Sequence, residues 1–198
     1  MKFSVGAVFL LLGCGVLSDW SAAESPESVV RQLYQQVVRR KPLGIPKRED
    51  KTAIAPFLST RLLRTLDTAQ SCEDDYRGQH QDPHIKPQFD WLEFDLFSGA
   101  NEKAIPSEAK VEREERETDG SFRIYVRLTY KESFETYGKP PNPANSFDWI
   151  VAAVVVLQSG RPVVDDVLFF TDNSTKIYSR LSEHFRGCEG SRWVGDRM

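Results

Sequence analysis

The dipeptide Asp119-Gly120, together with the alternation that follows it, constrains the fold of this chain more than any other feature. A two-residue primed turn needs positive φ angles, and Asp-Gly supplies them, so the dipeptide predicts a β-hairpin. Apolar and more polar positions then alternate from Phe122 to Lys131, which is typical of a strand with one buried face. Ala109 to Thr118 is rich in Glu, Lys and Arg and favours a helix by propensity, but the turn requires a partner strand, so we predict a strand there.

A second hairpin is predicted towards the end of the chain. Phe147 to Leu157 is an apolar run with many valines, and Pro162 to Phe170 is again apolar after Ser159-Gly160. Apolar runs bounded by turn residues are typical of central strands that are covered on both faces. Leu92 to Phe97 is a shorter candidate strand.

Helices are predicted before the strands. Ser25 is an N-cap residue, and Pro26 suits the first helical position of a helix that should end before Pro42. Thr52 to Phe57 can form a short helical turn, after which Ser59 caps another helix. The apolar side chains of the first helix recur on one face: Val29, Val30, Leu33, Tyr34, Val37 and Val38.

Helical spacing returns from Thr175 to Arg186, where Gly187 is a suitable stop, so a C-terminal helix is also predicted. Helices with one apolar side must cover something, and the strands supply a sheet. We therefore predict the α+β class, with N-terminal helices packed on a curved antiparallel sheet and a C-terminal helix. The length of 198 residues suits one domain.

Three segments of the chain share a pattern with a known family. They are the helix from Ser25 to Val38, the strand from Phe147 to Leu157 and the hairpin sequence from Gly160 to Val167. Together they resemble a nuclear transport factor 2-like domain, and more narrowly its exported bacterial branch of uncharacterised function. The resemblance covers roughly residues 25 to 186. It implies a cone, in which a strongly curved sheet wraps around the helices and leaves an open end that can form a pocket.

The first residues are typical of an export signal. Lys2 precedes an apolar run from Phe3 to Gly13, and Ser21-Ala22-Ala23 offers the small residues that a signal peptidase accepts. The run is shorter than the roughly 20 apolar residues that a membrane span requires. Residues 1–23 are therefore predicted to be a signal peptide, and residues 24–198 a single domain with a short C-terminal tail.

The same segment also contains a candidate lipidation site. Leu11-Leu12-Gly13-Cys14 resembles the bacterial lipobox, in which Cys14 is lipidated and becomes the mature N-terminus, attached to the membrane. Cleavage after Ala23 and lipidation at Cys14 are both open alternatives. Either one predicts a periplasmic or envelope-anchored location.

The cysteines support export. Once Cys14 is removed or lipidated, Cys72 and Cys188 remain as a pair, and in an oxidising compartment we expect a disulfide between them. The bridge would tie the C-terminal segment to the early helices. Two buried free thiols are the alternative.

Charge and motifs exclude several classes of function. With 26 Lys and Arg against 29 Asp and Glu, the net charge is -3, and no basic surface is predicted that could neutralise a nucleic acid backbone. The sequence has no phosphate-binding glycine loop, no dinucleotide fingerprint and no Gly-x-Ser-x-Gly. We therefore predict no cofactor, and a small molecule or a protein as the partner.

Asp165 and Asp166 are the main candidate site residues. Consecutive strand residues point to opposite faces, so one carboxylate should point towards the covered interior, where it could act as a base or orient a ligand. The alternative is that it caps a backbone or pairs with an arginine. Among the resembled family, enzymes of the ketosteroid-isomerase type combine a pocket carboxylate with a tyrosine, for which Tyr34 and Tyr130 are candidates. Trp149, Tyr130 and Asp166 are the candidate pocket residues.

A second acidic stretch suggests metal binding at first sight. Cys72-Glu73-Asp74-Asp75 is followed by His80, Asp82 and His84, but Pro83 breaks any helix that would put the histidines on one face. The spacing matches no standard ligand pattern, so we predict a solvated acidic loop and no metal site.

These observations predict an exported, non-enzymatic binding module for a small molecule or a protein. The alternative is an isomerase- or hydratase-like enzyme that uses Asp165 or Asp166 as its general base.

Overall fold

The computed structural model describes residues 24–80, 89, 91, 94–101, 104–132, 142, 144–171, 176–185 and 187–194. Within these residues the helices are α1, Pro26–Arg40, α2, Arg48–Ile54, and α3, Thr60–Gln79, with 3₁₀ turns at Ala55–Phe57 and Leu181–Glu183. The strands are β1, Glu108–Arg116, β2, Phe122–Lys131, β3, Ser146–Gln158, β4, Arg161–Phe170, β5, Ile177–Arg180, β6, Cys188–Glu189, and β7, Arg192–Trp193. The chain is α+β, as predicted. The predicted signal peptide, with Cys14, lies outside the described residues.

The helix caps match the prediction. The Ser25 hydroxyl accepts the Ser28 amide at 3.1 Å, and the Ser59 hydroxyl accepts the Leu62 amide at 2.9 Å, so α1 and α3 begin at capped serines. Helix α1 ends at Arg40, and Lys41 turns out of it with a positive φ of 52° just before Pro42.

The main sheet is antiparallel throughout, in the order β1-β2-β3-β4-β5. It is open, with β1 and β5 at its edges. Helix α1 packs against β1, β2 and β4, so the core lies between the helices and one face of the sheet. Leu33 and Leu62 from the helices and Ile124 and Val155 from the sheet are completely buried there.

Both predicted hairpins are present, and the second turns at Ser159-Gly160 as predicted, but the turn of the first differs from the prediction. Glu117 donates to the Ser121 carbonyl at 2.9 Å, which leaves three residues in the β1–β2 turn, with Gly120 at a φ of 86°. The two-residue primed turn lies instead at Ser159-Gly160, where both φ angles are positive, at 53° and 80°. Asp119 acts through its side chain, which accepts the Ser121 amide and hydroxyl at 2.9 and 2.6 Å.

The predicted C-terminal helix is wrong in the part that the structure describes. Residues Ile177–Arg180 form β5, which pairs with the end of β4. Only the short 3₁₀ turn at Leu181–Glu183 is helical. The free hydrogen-bonding edge of β4 explains the difference, because pairing with it satisfies more backbone groups than one short amphipathic turn would.

Strand β1 is a charged edge. Seven of its nine residues are Glu, Lys or Arg, and most of them are exposed. Its register with β2 shifts between Val111 and Arg113, which makes an irregularity in the middle of the edge. Helical propensity was overridden here because the hairpin turn supplied a partner.

The predicted disulfide is confirmed. Cys72 on α3 is bonded to Cys188 on β6, which lies 116 positions later in the sequence, with 6.0 Å between their Cα atoms. Next to it, the rings of Tyr76, Phe89 and Trp193 pack edge to face. The C-terminal segment is therefore fixed to α3, as expected. None of the helices in the described part of the chain is long and apolar enough to cross a bilayer.

Candidate functional site

The candidate site is formed by a tight loop, residues 94–101, that closes over the end of the sheet. The sequence predicted a strand from Leu92 to Phe97, but the described part of that segment makes only isolated bridges and a turn. The Gly99 amide donates to the Asp95 carbonyl, and the Asp95 amide donates to the Ala100 carbonyl, each at 2.8 Å. Gly99 is required here, because its φ is 68° and a Cβ atom would lie 2.9 Å from the Phe169 ring.

Side chains from distant elements hold this loop in place. The Tyr34 hydroxyl on α1 donates to the Phe97 carbonyl at 2.8 Å, and the Trp149 indole on β3 donates to the Ser98 carbonyl at 2.8 Å. The Gly44 amide donates to the Phe94 carbonyl at 2.8 Å. The loop is therefore held firmly against α1, β3 and the segment that contains Gly44.

Behind the loop is a cavity of about 440 Å³, which we call the Asp95 cavity. It is bounded by the loop, by the adjoining ends of β3, β4 and β5, and by Trp91 and His184. Its surface is mainly apolar. The aromatic residues in its wall are Trp91, Phe94, Trp149, Phe169, Phe170 and Tyr178.

Asp95 is the buried carboxylate of this cavity, and its side chain is 0% exposed. Its Oδ1 accepts the Phe97 amide at 2.9 Å, but its Oδ2 has no hydrogen-bond partner. Burial raises the pKa of Asp95 to about 6, although the hydrogen bond from the Phe97 amide and the nearby Ser98 act to lower it. A carboxylate with one unpaired, desolvated oxygen is unusual, because buried polar atoms are normally satisfied.

Two further residues of the cavity wall, Trp91 and His184, carry polar groups. The indole nitrogen of Trp91 is buried without a hydrogen-bond partner. The Nε2 atom of His184 is hydrogen-bonded to the Ser179 hydroxyl at 3.1 Å, and its ring packs edge to face on Phe169. The cavity thus combines aromatic walls with a few polar atoms, some of them unsatisfied.

The predicted aspartates lie elsewhere, and the first of them is an ion-paired cap. β4 has a register shift opposite Val154 and Val155, which leaves Asp165 without a partner on β3. Its carboxylate accepts the Ser59 hydroxyl at 2.5 Å and two Arg61 nitrogens at 2.9 and 2.7 Å. Burial acts to raise the pKa of Asp165, but the hydrogen bonds from Arg61 and Ser59 outweigh it and hold the pKa below its ordinary value.

Asp166 is also fully occupied. Its Oδ1 accepts the amides of Val167 and Ser182 at 2.9 and 3.1 Å, and its Oδ2 accepts the Ser182 hydroxyl at 2.6 Å. Both carboxylates therefore make the backbone-cap and arginine contacts that the sequence allowed as the alternative. Neither lines the Asp95 cavity.

The remaining candidate residues are divided between the cavity and the core. Trp149 lines the Asp95 cavity, whereas Tyr130 stacks at a tilt on Phe147 outside it. Tyr34 is buried, and burial, with the nearby Asp95 charge, raises its pKa well above the ordinary value. Its hydroxyl is held by the Phe97 carbonyl and supports the loop.

The acidic stretch after Cys72 is structural where it is described. Glu73 is buried and paired with Lys47 and Arg77, and the Asp75 carboxylate accepts the Trp193 amide at 3.0 Å. His80 stacks on Tyr76, while Asp82 and His84 lie outside the described residues. In the described part of the chain, no group of three or more His, Cys, Asp or Glu side chains is placed to hold a metal ion.

Sequence reasoning missed Asp95. The sequence predicts a short strand around Asp95, and a lone carboxylate on a strand is expected to face solvent. The Ser98-Gly99 pair, which directly follows the predicted strand, is the signal that favours a turn, since glycine permits the positive φ that closes this loop.

Comparison with known proteins adds no relative. No family model matches the chain, and no curated protein and no solved structure matches it either.

Proposed function

We propose that this chain is an exported, non-enzymatic module of the nuclear transport factor 2-like type that binds a small, largely apolar molecule in the Asp95 cavity. The observation that carries this proposal is a cavity of about 440 Å³ with mainly aromatic walls. Small-molecule sites are typically apolar pockets of about 300 to 1,000 Å³ with a few polar groups.

The size of the cavity sets the class of ligand. A bicyclic aromatic body that buries about 200 Å² of apolar surface gains roughly 5 kcal/mol from burial, before the cost of immobilisation. The loop needs little ordering on binding, because Tyr34 and Trp149 already hold it by hydrogen bonds. The Cys72–Cys188 disulfide supports export, since such bonds persist in oxidising compartments.

A neutral fluorescent probe tests the proposal. N-phenyl-1-naphthylamine should bind one site and receive energy from Trp91 and Trp149, so excitation of tryptophan should produce probe emission. Ser179→Phe places a ring in the cavity wall and should weaken binding at least about tenfold, or about 1.4 kcal/mol.

The matched control is Ser146→Phe, which adds the same ring at an exposed position on β3. It should bind the probe like the unmodified protein. Equal weakening by both substitutions, or no saturable binding at all, would contradict the proposal.

One observation favours an enzyme as the second candidate. Burial raises the pKa of Asp95 to about 6, which suits a general base near neutral pH. The test is solvent deuterium exchange into the methyl group of 2-acetonaphthone, followed by NMR. The binding-module proposal predicts no acceleration over the Asp95→Asn variant, and an acceleration that Asp95→Asn abolishes would favour the enzyme.

A further inference from the structure

The buried carboxylates of this protein differ in how their charge is balanced. Glu73 is 1% exposed and has both Lys47 and Arg77 within salt-bridge distance. Asp166 is 4% exposed and receives hydrogen bonds on both oxygens. Asp95 is 0% exposed, its Oδ2 is unpartnered, and no described lysine, arginine or histidine forms a salt bridge with it.

An unbalanced buried charge projects an electrostatic potential into the space beside it. Asp95 lies in the wall of the cavity, and the rest of that wall is mainly apolar, so the charge is weakly screened there. At neutral pH the carboxylate is largely ionised, since its pKa is raised only to about 6. The cavity should therefore be negative inside.

The aromatic wall acts in the same direction. The faces of Trp and Phe rings attract cations, and the effect is larger where water is excluded. Trp91, Trp149 and Phe169 all line the cavity. A cation held there would be stabilised both by the rings and by the potential of the unbalanced carboxylate behind the wall.

We infer that the Asp95 cavity selects organic cations, specifically a protonated amine attached to an apolar or aromatic body. This inference rests on the proposed binding function and names the ligand class of the same site. Oδ2 is closed off from solvent, so the selection acts through the potential in the cavity and requires no direct hydrogen bond. An anionic ligand is repelled by the same charge.

Three probes with the same ring and different head groups test this inference. 2-Naphthylmethylamine, 2-naphthylmethanol and 2-naphthoate compete with N-phenyl-1-naphthylamine at about pH 7.5. We expect the amine to bind at least about tenfold more tightly than the alcohol, and the carboxylate to bind most weakly. Equal affinities for the amine and the alcohol would overturn the inference and leave the proposed function standing. If the probe binds but none of the three displaces it, the inference fails as well, whereas the absence of saturable probe binding contradicts the proposed function itself.

Asp95→Asn removes the charge and keeps an Oδ1 acceptor for the Phe97 amide, so the loop can be retained. It should bring the amine affinity down to that of the alcohol. Glu114→Gln removes a surface charge on β1 and should leave the amine preference unchanged. A preference that survives Asp95→Asn, or disappears in Glu114→Gln, contradicts the inference.

A salt titration of the unmodified protein keeps the test independent of any variant that fails to fold. Surface charges are screened between about 50 and 500 mM NaCl, whereas a buried charge is screened much less. The amine preference should therefore change less than about threefold over this range. A preference that vanishes at high salt would assign it to the surface and overturn the inference.

Discussion

The acidic pair in the middle of β4 and the lone Asp95, in the loop that packs against the end of β4, use the same side chain in opposite ways. Asp165 and Asp166 are surrounded by donors from Ser59, Arg61 and Ser182. Asp95 accepts one backbone amide and keeps its other oxygen unpaired. An acidic pair that stands out in a sequence can therefore serve only to connect structural elements. A single aspartate that does not stand out can carry the unbalanced charge that a ligand uses.

The disulfide lies close to the contacts of Asp165 and Asp166, because Arg61, Ser182 and Cys188 line one groove. The largest effect on the comparison should come from the double variant Cys72→Ala/Cys188→Ala. The cysteines are 116 positions apart, and opening a loop of this length corresponds to about 5 kcal/mol of lost stability in the chain-entropy model. Urea unfolding measures this loss of stability. A loss of less than about 1 kcal/mol would show that the contacts of Asp165 and Asp166 hold this region together without the disulfide.

The next largest effect should come from removing the hydrogen bonds that Asp166 accepts and Asp95 largely lacks. Asp166→Ala leaves the Ser182 amide and hydroxyl without their acceptor and should cost about 3 kcal/mol of unfolding free energy. Asp166→Asn retains an acceptor and should cost less. If both variants unfold at the same urea concentration as the parent, the hydrogen bonds of Asp166 do not stabilise the fold.

A third experiment uses the opposite pKa shifts of the two regions. Because the folded pKa of Asp95 is raised to about 6, the folded state binds this proton more tightly than the unfolded state. Ionising Asp95 therefore removes stability as the pH rises from about 4 to about 6, by up to roughly 3 kcal/mol. Unfolding free energies of the parent minus those of Asp95→Asn should fall by this amount across that window. A difference that is flat with pH would show that Asp95 is not desolvated.

The Asp165 region should show the reverse sign. Its pKa is held low in the folded state, so its contribution is present above the unfolded pKa and is lost as the pH falls through the folded pKa. Arg61 is half exposed, and its pair is partly screened by solvent, so Arg61→Ala should cost only about 1 kcal/mol at neutral pH. Arg64→Ala is the control, since Arg64 donates to the Thr60 carbonyl and forms no salt bridge with a described carboxylate. Equal losses in both variants would remove the role of the pair.

Local sequence signals predicted the parts of the fold that short stretches of chain determine. The Ser25 and Ser59 caps, the two hairpins and the disulfide all follow from residue types whose geometry is fixed by a few neighbours or by pairing. The resemblance to nuclear transport factor 2-like domains, the cone and the export signal stay predictions.

The candidate site could not be predicted in the same way. Asp95 is buried because Tyr34, 63 residues before Phe97, and Trp149, 51 residues after Ser98, both bond to its loop. Strand β5 likewise depends on a free hydrogen-bonding edge of β4, which is available because β4 pairs with β3 on its other side. Both outcomes are set by tertiary contacts, which override local propensity.

The charged edge strand β1 has a consequence for how the protein behaves when it is crowded. A flat, apolar edge would recruit a neighbour's strand and start fibril growth. A second molecule that paired with β1 would instead meet a row of Glu, Lys and Arg side chains. The shifted register near Val111 also interrupts the regular hydrogen-bond ladder of this strand. The protein can thus keep one long sheet border open to solvent and still resist aggregation.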